Sequence, residues 1–181
     1  MKANYEIDTA HSTAQFVVRH MMITNVRGGF GGVKGTVVWD RENPEQSSID
    51  AVIDVATITT RDEQRDAHLR SADFFHAEQY PHITFKSRRI ARKSDDELSV
   101  TGDLTIRGVT REVTLKVEGP TPENKDPWGN IRIGASGATR IRRSDFGLTW
   151  NAALETGGLL VGDEIKIELE LSLVKAQTAT A

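Results

Sequence analysis

The chain of 181 residues contains no cysteine. That excludes disulfides, thiolate catalysis and every zinc site built on cysteine, and it leaves the redox compartment undetermined. Aromatic residues are scarce at 6%, and prolines number five. No single sign of charge dominates: the formal net charge is −3, with acids and bases mixed along the chain. The concentrated positive field that nucleic acid binding needs is therefore missing. No apolar run approaches the roughly 20 residues of a membrane-spanning helix, so no stable membrane insertion is expected. The amino end, MKANYEIDTAHS, enters patterned sequence at once without an apolar signal region. The expected location is the cytoplasm. The length suffices to bury a core without a metal or disulfide staple, and the chain reads as one domain over 1–175 with a frayed tail at 176–181.

What is present is alternation with a period of two. In STAQFVVRH, Phe16, Val18 and His20 point one way while Gln15, Val17 and Arg19 point the other. SIDAVIDVATI sets Ile49, Ala51, Ile53 and Val55 against Asp50, Val52 and Asp54. EIKIELELSLV sets Ile165, Ile167, Leu169, Leu171 and Leu173 against Lys166, Glu168, Glu170 and Ser172. ELSVTGDLTI, REVTLKVEG and NIRIGASGATRI follow the same rule. One apolar and one wet face per strand is the habit of antiparallel sheets. Gly108 in TIRGVTREV marks a tight hairpin. The glycine-rich RGGFGGVKG lacks the G-x-G-x-x-G spacing of a dinucleotide site and reads as a curved or bulged strand anchored by Phe30. Only TTRDEQRDAHLRSADFF breaks the pattern toward helix, with Thr60 and Glu63 at capping-box spacing.

About eight or nine amphipathic strands with one short helical insertion indicate an all-β fold, either a closed barrel or a sandwich. A barrel of about eight strands is filled by side chains or holds one slender ligand. The scarcity of aromatics and the small inward residues Ala51, Gly102, Ala135 and Gly137 favour the second option.

Catalytic patterns are weak. The five histidines, His11, His20, His68, His76 and His82, include no pair four apart with a glutamate between, so ordinary hydrogen-bonded histidines are favoured over a metal site. No G-x-S-x-G elbow is present. Asp95–Asp96 and Asp163–Glu164 lie in turn-like, solvated sequence, and RRIARK reads as a wet strand face. No cofactor is expected. Trp128, after Asp126–Pro127 and before Gly129, fits a lip on a barrel mouth or a local plug equally well.

Several stretches in order resemble one family, the YceI-like, polyisoprenoid-binding proteins: YEIDTAHSTAQFVVRHM, RGGFGG, RDAHLRSADFFHAEQYPHITFKS, LSVTGDLTIRGVTREVTL, DPWGNIRIGASGATRIRRSDFGL and VGDEIKIELEL. They run from Tyr5 to about Leu171. The resemblance implies an extended, lipocalin-like antiparallel β-barrel with a helix inserted near one end, and an isoprenoid chain (a polyprenyl lipid or a quinone tail) lying lengthwise in the pore. It implies a binding or carrier protein rather than an enzyme. Many similar proteins carry an export signal, and this chain is similar to the leaderless ones. A homodimer is common among them.

On that reading DAHLRSADFFHAEQYP is the inserted helix, returning through Tyr80–Pro81 into the strand HITFKS. Leu69, Phe74 and Phe75 turn toward the pore and close it. The expected lining adds Phe16, Val18, His20, Phe30, Ala51, Ile53, Val55, Phe85, Leu104, Leu115 and Ile133, with Trp128 at a mouth. Two rival functions stand beside this one. One is an enzyme acting on a lipid-like substrate in the same pore, using His11 or His20 with a nearby acid. The other is a barrel packed solid, working through a surface interaction such as homodimerisation.

Overall fold

The computed structural model describes residues 1–177, so residues 178–181 of the expected tail lie outside the described part. In chain order the strands are β1 (Lys2–Ile7), β2 (Thr13–His20), β3 (Thr24–Phe30), β4 (Val33–Asp40) and β5 (Ser48–Asp54). The helix α1 (Glu63–Arg70) follows, then β6 (His82–Arg92), β7 (Glu97–Ile106), β8 (Val109–Glu118), β9 (Asn124–Lys125), β10 (Ile131–Arg142) and β11 (Val161–Lys175). All paired strands run antiparallel.

Two pairs of strands act as single bent staves. β1 and β2 both lie along β11, separated by one helical turn at Thr9–His11. β3 lies along β2 and β4 along β1, with a corner at Gly31–Gly32. The curved strand read in RGGFGGVKG is this corner. A Cβ on Gly32 would stand 2.9 Å from that of Asp54, so only glycine lets the bend approach its neighbour. Counting β1/β2 and β3/β4 once each, with β5, β6, β7, β8, β10 and β11, gives eight staves. The β10–β11 pairing closes them into a barrel rather than a sandwich.

The hairpin at Gly108 is tight. Arg107 and Gly108 both have positive φ, 50° and 73°, as a type I′ turn requires. The β6–β7 ladder slips between Ser87 and Arg89. This bulge turns both Arg88 and Arg89 outward, onto Asp103 and Glu112, and returns Ile90 to the core. RRIARK is thus mostly a wet face, as its composition suggests.

Two local expectations are corrected. The amino-terminal cap of α1 is Asp62, which accepts from Arg65 N at 2.9 Å. Thr60 is buried instead, and its N–H and hydroxyl both donate to Asp66. The chain is still extended at Thr59, which bridges Gly29, so the helix starts too late for Thr60 to cap it. Asp163 and Glu164 belong to β11, not to a turn, and Asp163 accepts from Ser144 N and Oγ.

Candidate functional site

The inward faces of the staves do not meet. They enclose an apolar cavity of about 240 Å³. Its wall is built by alternation: Leu98, Val100, Leu104 and Ile106 from β7, and Ile165, Ile167, Leu169, Leu171 and Leu173 from β11. The alternating part of β11 from Ile165 to Leu173 covers eight steps, roughly 26 Å along the strand at about 3.3 Å per residue and somewhat less along a tilted barrel axis. The cavity is therefore a tunnel.

Small residues make the space. Ala51, Ala135 and Gly137 line it, and a Cβ on Gly137 would find its nearest neighbours at ordinary contact distance, 3.5 Å and beyond. Gly102 does something else. A Cβ there would sit 2.6 Å from Phe85 Cζ, so this glycine seats the Phe85 ring rather than leaving room.

One end is stopped by the insertion after β5. Leu69 from α1, with Phe74 and Phe75 beyond it, faces the tunnel. Phe75 meets Phe30 edge-on, and Phe30 packs on Phe16 with ring centres 5.8 Å apart. Phe74 packs on Trp150 and on His68, whose ring nitrogen Nε2 lies 2.8 Å from Asp73. Arg107 donates to the Phe74 carbonyl at 2.8 Å and ties the plug to the β7–β8 hairpin.

β8 pairs with β10 only over Lys116–Glu118. The seam below is filled by Phe146 and Leu148, both buried and both facing the tunnel. They are positioned by Arg143, which is 7% exposed. Its guanidinium donates to the carbonyls of Leu148 (2.7 Å), Trp150 (2.9 Å), Gly162 (2.8 Å) and Val161 (3.2 Å). Burial lowers its proton affinity, and the nearby Asp163 partly offsets this. Arg143 is the one ionisable side chain lining the tunnel among the described residues.

Beyond the opposite end lies a second hollow of about 730 Å³, divided from the tunnel by Trp39, which lines both. Tyr5 and Ile133 are buried within it, and Lys2, Arg41, Glu123 and Lys175 give it a polar rim. Tyr5 donates to Glu123 at 2.8 Å; burial and then that carboxylate push the phenol up to about 12. Lys175 and Tyr5, both bonded to Glu123, hold its carboxyl below the usual range. Outside the barrel wall, Arg132 bridges Asp126 and Asp8 at 2.7 Å each. Its bond to Asp8, with a second from His11, lowers that carboxyl to about 2. The same guanidinium holds Asp126 well below the ordinary range.

With this geometry in view, the sequence profile of the YceI-like domain matches residues 5–173. The chain belongs to the YceI-like family. A UPF0312 protein of Staphylococcus aureus strain N315 is 36% identical over 165 residues, covering 91% of this chain and 94% of that one. A UPF0312 protein of Vibrio parahaemolyticus is 38% identical over 146 residues, 80% and 77% of the two chains. The crystal structure of BcnA from Burkholderia cenocepacia aligns with a TM-score of 0.78 at 28% identity, over 92% of this chain and 98% of that one. A polyisoprenoid binding domain from Saccharophagus degradans, implicated in plant cell wall breakdown, shares the fold: its TM-score is 0.70 at 17% identity, over 95% and 98% of the chains.

In this YceI-like chain, the structure brings eleven of the fifteen residues expected at the pore to the tunnel wall: Phe16, Val18, Phe30, Ala51, Ile53, Leu69, Phe74, Phe75, Phe85, Leu104 and Leu115. Four expectations are corrected. His20 ends β2 beside the tip of a hairpin, half-buried and not among the residues lining the tunnel. Val55 is fully buried, but β5 stops at Asp54 and a helical turn takes Val55 off the alternating face. Ile133 has the inward face yet lies past Trp39, in the second hollow. Trp128 sits on the turn held by Asp126, is 81% exposed and lines neither the tunnel nor the second hollow, so it is no plug.

Among the lining residues that sequence reasoning missed are Trp39, Arg143, Phe146 and Leu148. Trp39 was available, because Val37 and Trp39 alternate in β4 like every other stave. The other three sit on an irregular segment with no period to read. The histidines are dispersed: His11 bonds Asp8, His68 bonds Asp73 and His82 pairs with Asp54. No group of three or more metal-ligating side chains forms among the described residues, and no helix among them is long and apolar enough to cross a membrane.

Proposed function

We propose that this protein binds a long-chain isoprenoid lipid, of polyprenyl or quinone type, lengthwise in the tunnel, and stores or carries it without changing it. The observation that carries the reading is the tunnel itself: long, narrow and apolar, stopped at one end by aromatic rings. A slim hydrocarbon is the ligand that such a wall rewards. Each buried methylene contributes about 0.8 kcal/mol, against which stands the ordering of a flexible chain. The name of the Saccharophagus degradans domain points the same way, since it is described as binding polyisoprenoid.

Among the described residues the wall carries one ionisable side chain, Arg143, and its engagement with the main chain supports a binding role. Arg143 has four of its donors committed to main-chain carbonyls, and His11 lies outside on Asp8. Native mass spectrometry of the purified protein, followed by organic extraction, tests the proposal. A long-chain lipid released on extraction is the expected result. A protein that is empty and takes up no isoprenoid alcohol overturns it, and a cleaved fragment would turn the assignment toward an enzyme.

A further inference from the structure

Exposed apolar side chains gather at one end of the barrel. Met21, Met22 and Ile23 form the tip of the β2–β3 hairpin and are 43%, 63% and 68% exposed. Leu159, on the loop leading into β11, is 53% exposed. The hairpin tip is also strained. Ile23 N donates to the His20 carbonyl, closing a turn in which Met21 and Met22 have φ of 52° and 60°. A turn left-handed at both central positions normally takes asparagine and glycine. Here two methionines bear the strain and the solvent exposure together; Met22 lays its sulfur against Gly158, yet it stays 63% exposed.

The two apolar loops are tied to each other. Met21 N donates to the Leu160 carbonyl at 2.7 Å. Between them is a hollow of about 570 Å³ whose lining includes Met22, Leu159 and Arg19, and whose inner wall is Val161 and Arg143. Those last two residues also line the tunnel. The β2–β11 ladder is broken at the same place, jumping from Val161 opposite His20 to Ile165 opposite Val18. The hollow thus backs onto the tunnel where the β2–β11 ladder is interrupted.

We infer that this end docks on a lipid bilayer, with Met21, Met22, Ile23 and Leu159 seated among the acyl chains and the Val161–Arg143 wall presented to the membrane. The inference rests on the lipid-carrier reading above, since a tunnel for an apolar chain must be supplied from a source of that chemistry. Charge contributes at one point. The exposed Arg19 at the rim reaches only the Asn25 side chain at 3.3 Å and can meet a phosphate head group. Asp163 accepts from Ser144 and lies near the Arg143 and Arg142 guanidiniums.

Flotation of the full chain with phosphatidylcholine vesicles tests this. The wild type is expected to float with the vesicles. A double variant, Ile23→Asp with Leu159→Asp, is expected to lose at least about tenfold in bound fraction while its melting temperature holds. If that variant fails to fold, Met22→Ser carries the same test with a smaller loss. Ala51→Phe, which narrows the tunnel, is expected to float normally, so failure of the lipid-carrier reading would leave the docking result intact. The inference is overturned if the wild type does not float, or if the double variant floats unchanged. It is equally overturned if sedimentation shows a wild-type dimer that the variant splits without any change in flotation, because the patch would then be a contact between copies.

Discussion

Phe75 meets Phe30 edge-on, their ring centres 5.7 Å apart at an interplanar angle of 90°. The plug after α1 is thus held by the barrel wall it closes, because Phe30 ends β3 at the Gly31–Gly32 corner and packs on Phe16 of β2. Deleting the Phe75 ring removes that contact without touching a stave. Phe75→Ala is expected to lower stability by about 2 kcal/mol, less than a fully buried phenylalanine costs because Phe75 is only half-buried. It is also expected to speed release of a loaded isoprenoid. Stopped-flow displacement of a fluorescent isoprenoid alcohol measures this; an unchanged release rate in a folded variant would remove the plug from the exchange pathway.

Ala51 stands opposite Phe85 in the β5–β6 ladder and lines the tunnel. Ala51→Phe adds a ring where the channel needs a gap. Lipid loading is expected to fall by at least about tenfold, with an overpacking cost of about 1–3 kcal/mol. Glu170→Phe, on the outward face of β11, serves as the control and is expected to load normally. Equal loading in both variants, by mass spectrometry after extraction, would show that the inward faces do not hold the chain.

Arg143 is a staple of main-chain carbonyls. A planar guanidinium reaches Leu148, Trp150, Val161 and Gly162 together, and an ammonium cannot match that fork. Arg143→Met takes this donor from the Leu148, Trp150 and Gly162 carbonyls, while Val161 keeps Asn151 Nδ2, and is expected to cost about 3 kcal/mol, seen as a fall in melting temperature of roughly 6–12 °C by calorimetry. Arg143→Lys is expected to recover less than half of this. Full recovery by lysine would mean that charge, not the fork, matters.

Much of this site was legible because period two is a strong signal wherever a strand is straight. Ile165, Ile167, Leu169, Leu171 and Leu173 alternate without interruption, and all five reach the tunnel. The misses fall where regularity ends. His20 and Val55 each extend an alternation one step too far, beside a hairpin tip and onto a helical turn. Ile133 has the correct face, but alternation says nothing of where along a stave the tunnel stops. Parity also slips at the Ser87–Arg89 bulge, where Ile90 returns to the core against the count from Phe85. Phe146 and Leu148 enter from an irregular segment, which only the closure of the barrel brings to the seam.

Outside the wall, the bridge from Asp126 through Arg132 to Asp8 makes stability depend on acid. Both carboxyls are held below their usual range chiefly by the Arg132 guanidinium, Asp8 at about 2. Unfolded, an aspartate titrates at about 3.9. A folded value below the unfolded one means that the folded state resists protonation. The stabilisation is complete above about pH 4 and is lost as the pH falls toward about 2. Arg132→Met removes the partner of both acids. Its stability at neutral pH is expected to be lower than the wild type's, and its decline between about pH 4 and 2 shallower, so that the two curves converge at low pH. Urea midpoints across that window test this. Parallel curves, offset equally at every pH, would assign the Arg132 contribution to packing of its stem rather than to the two ion pairs.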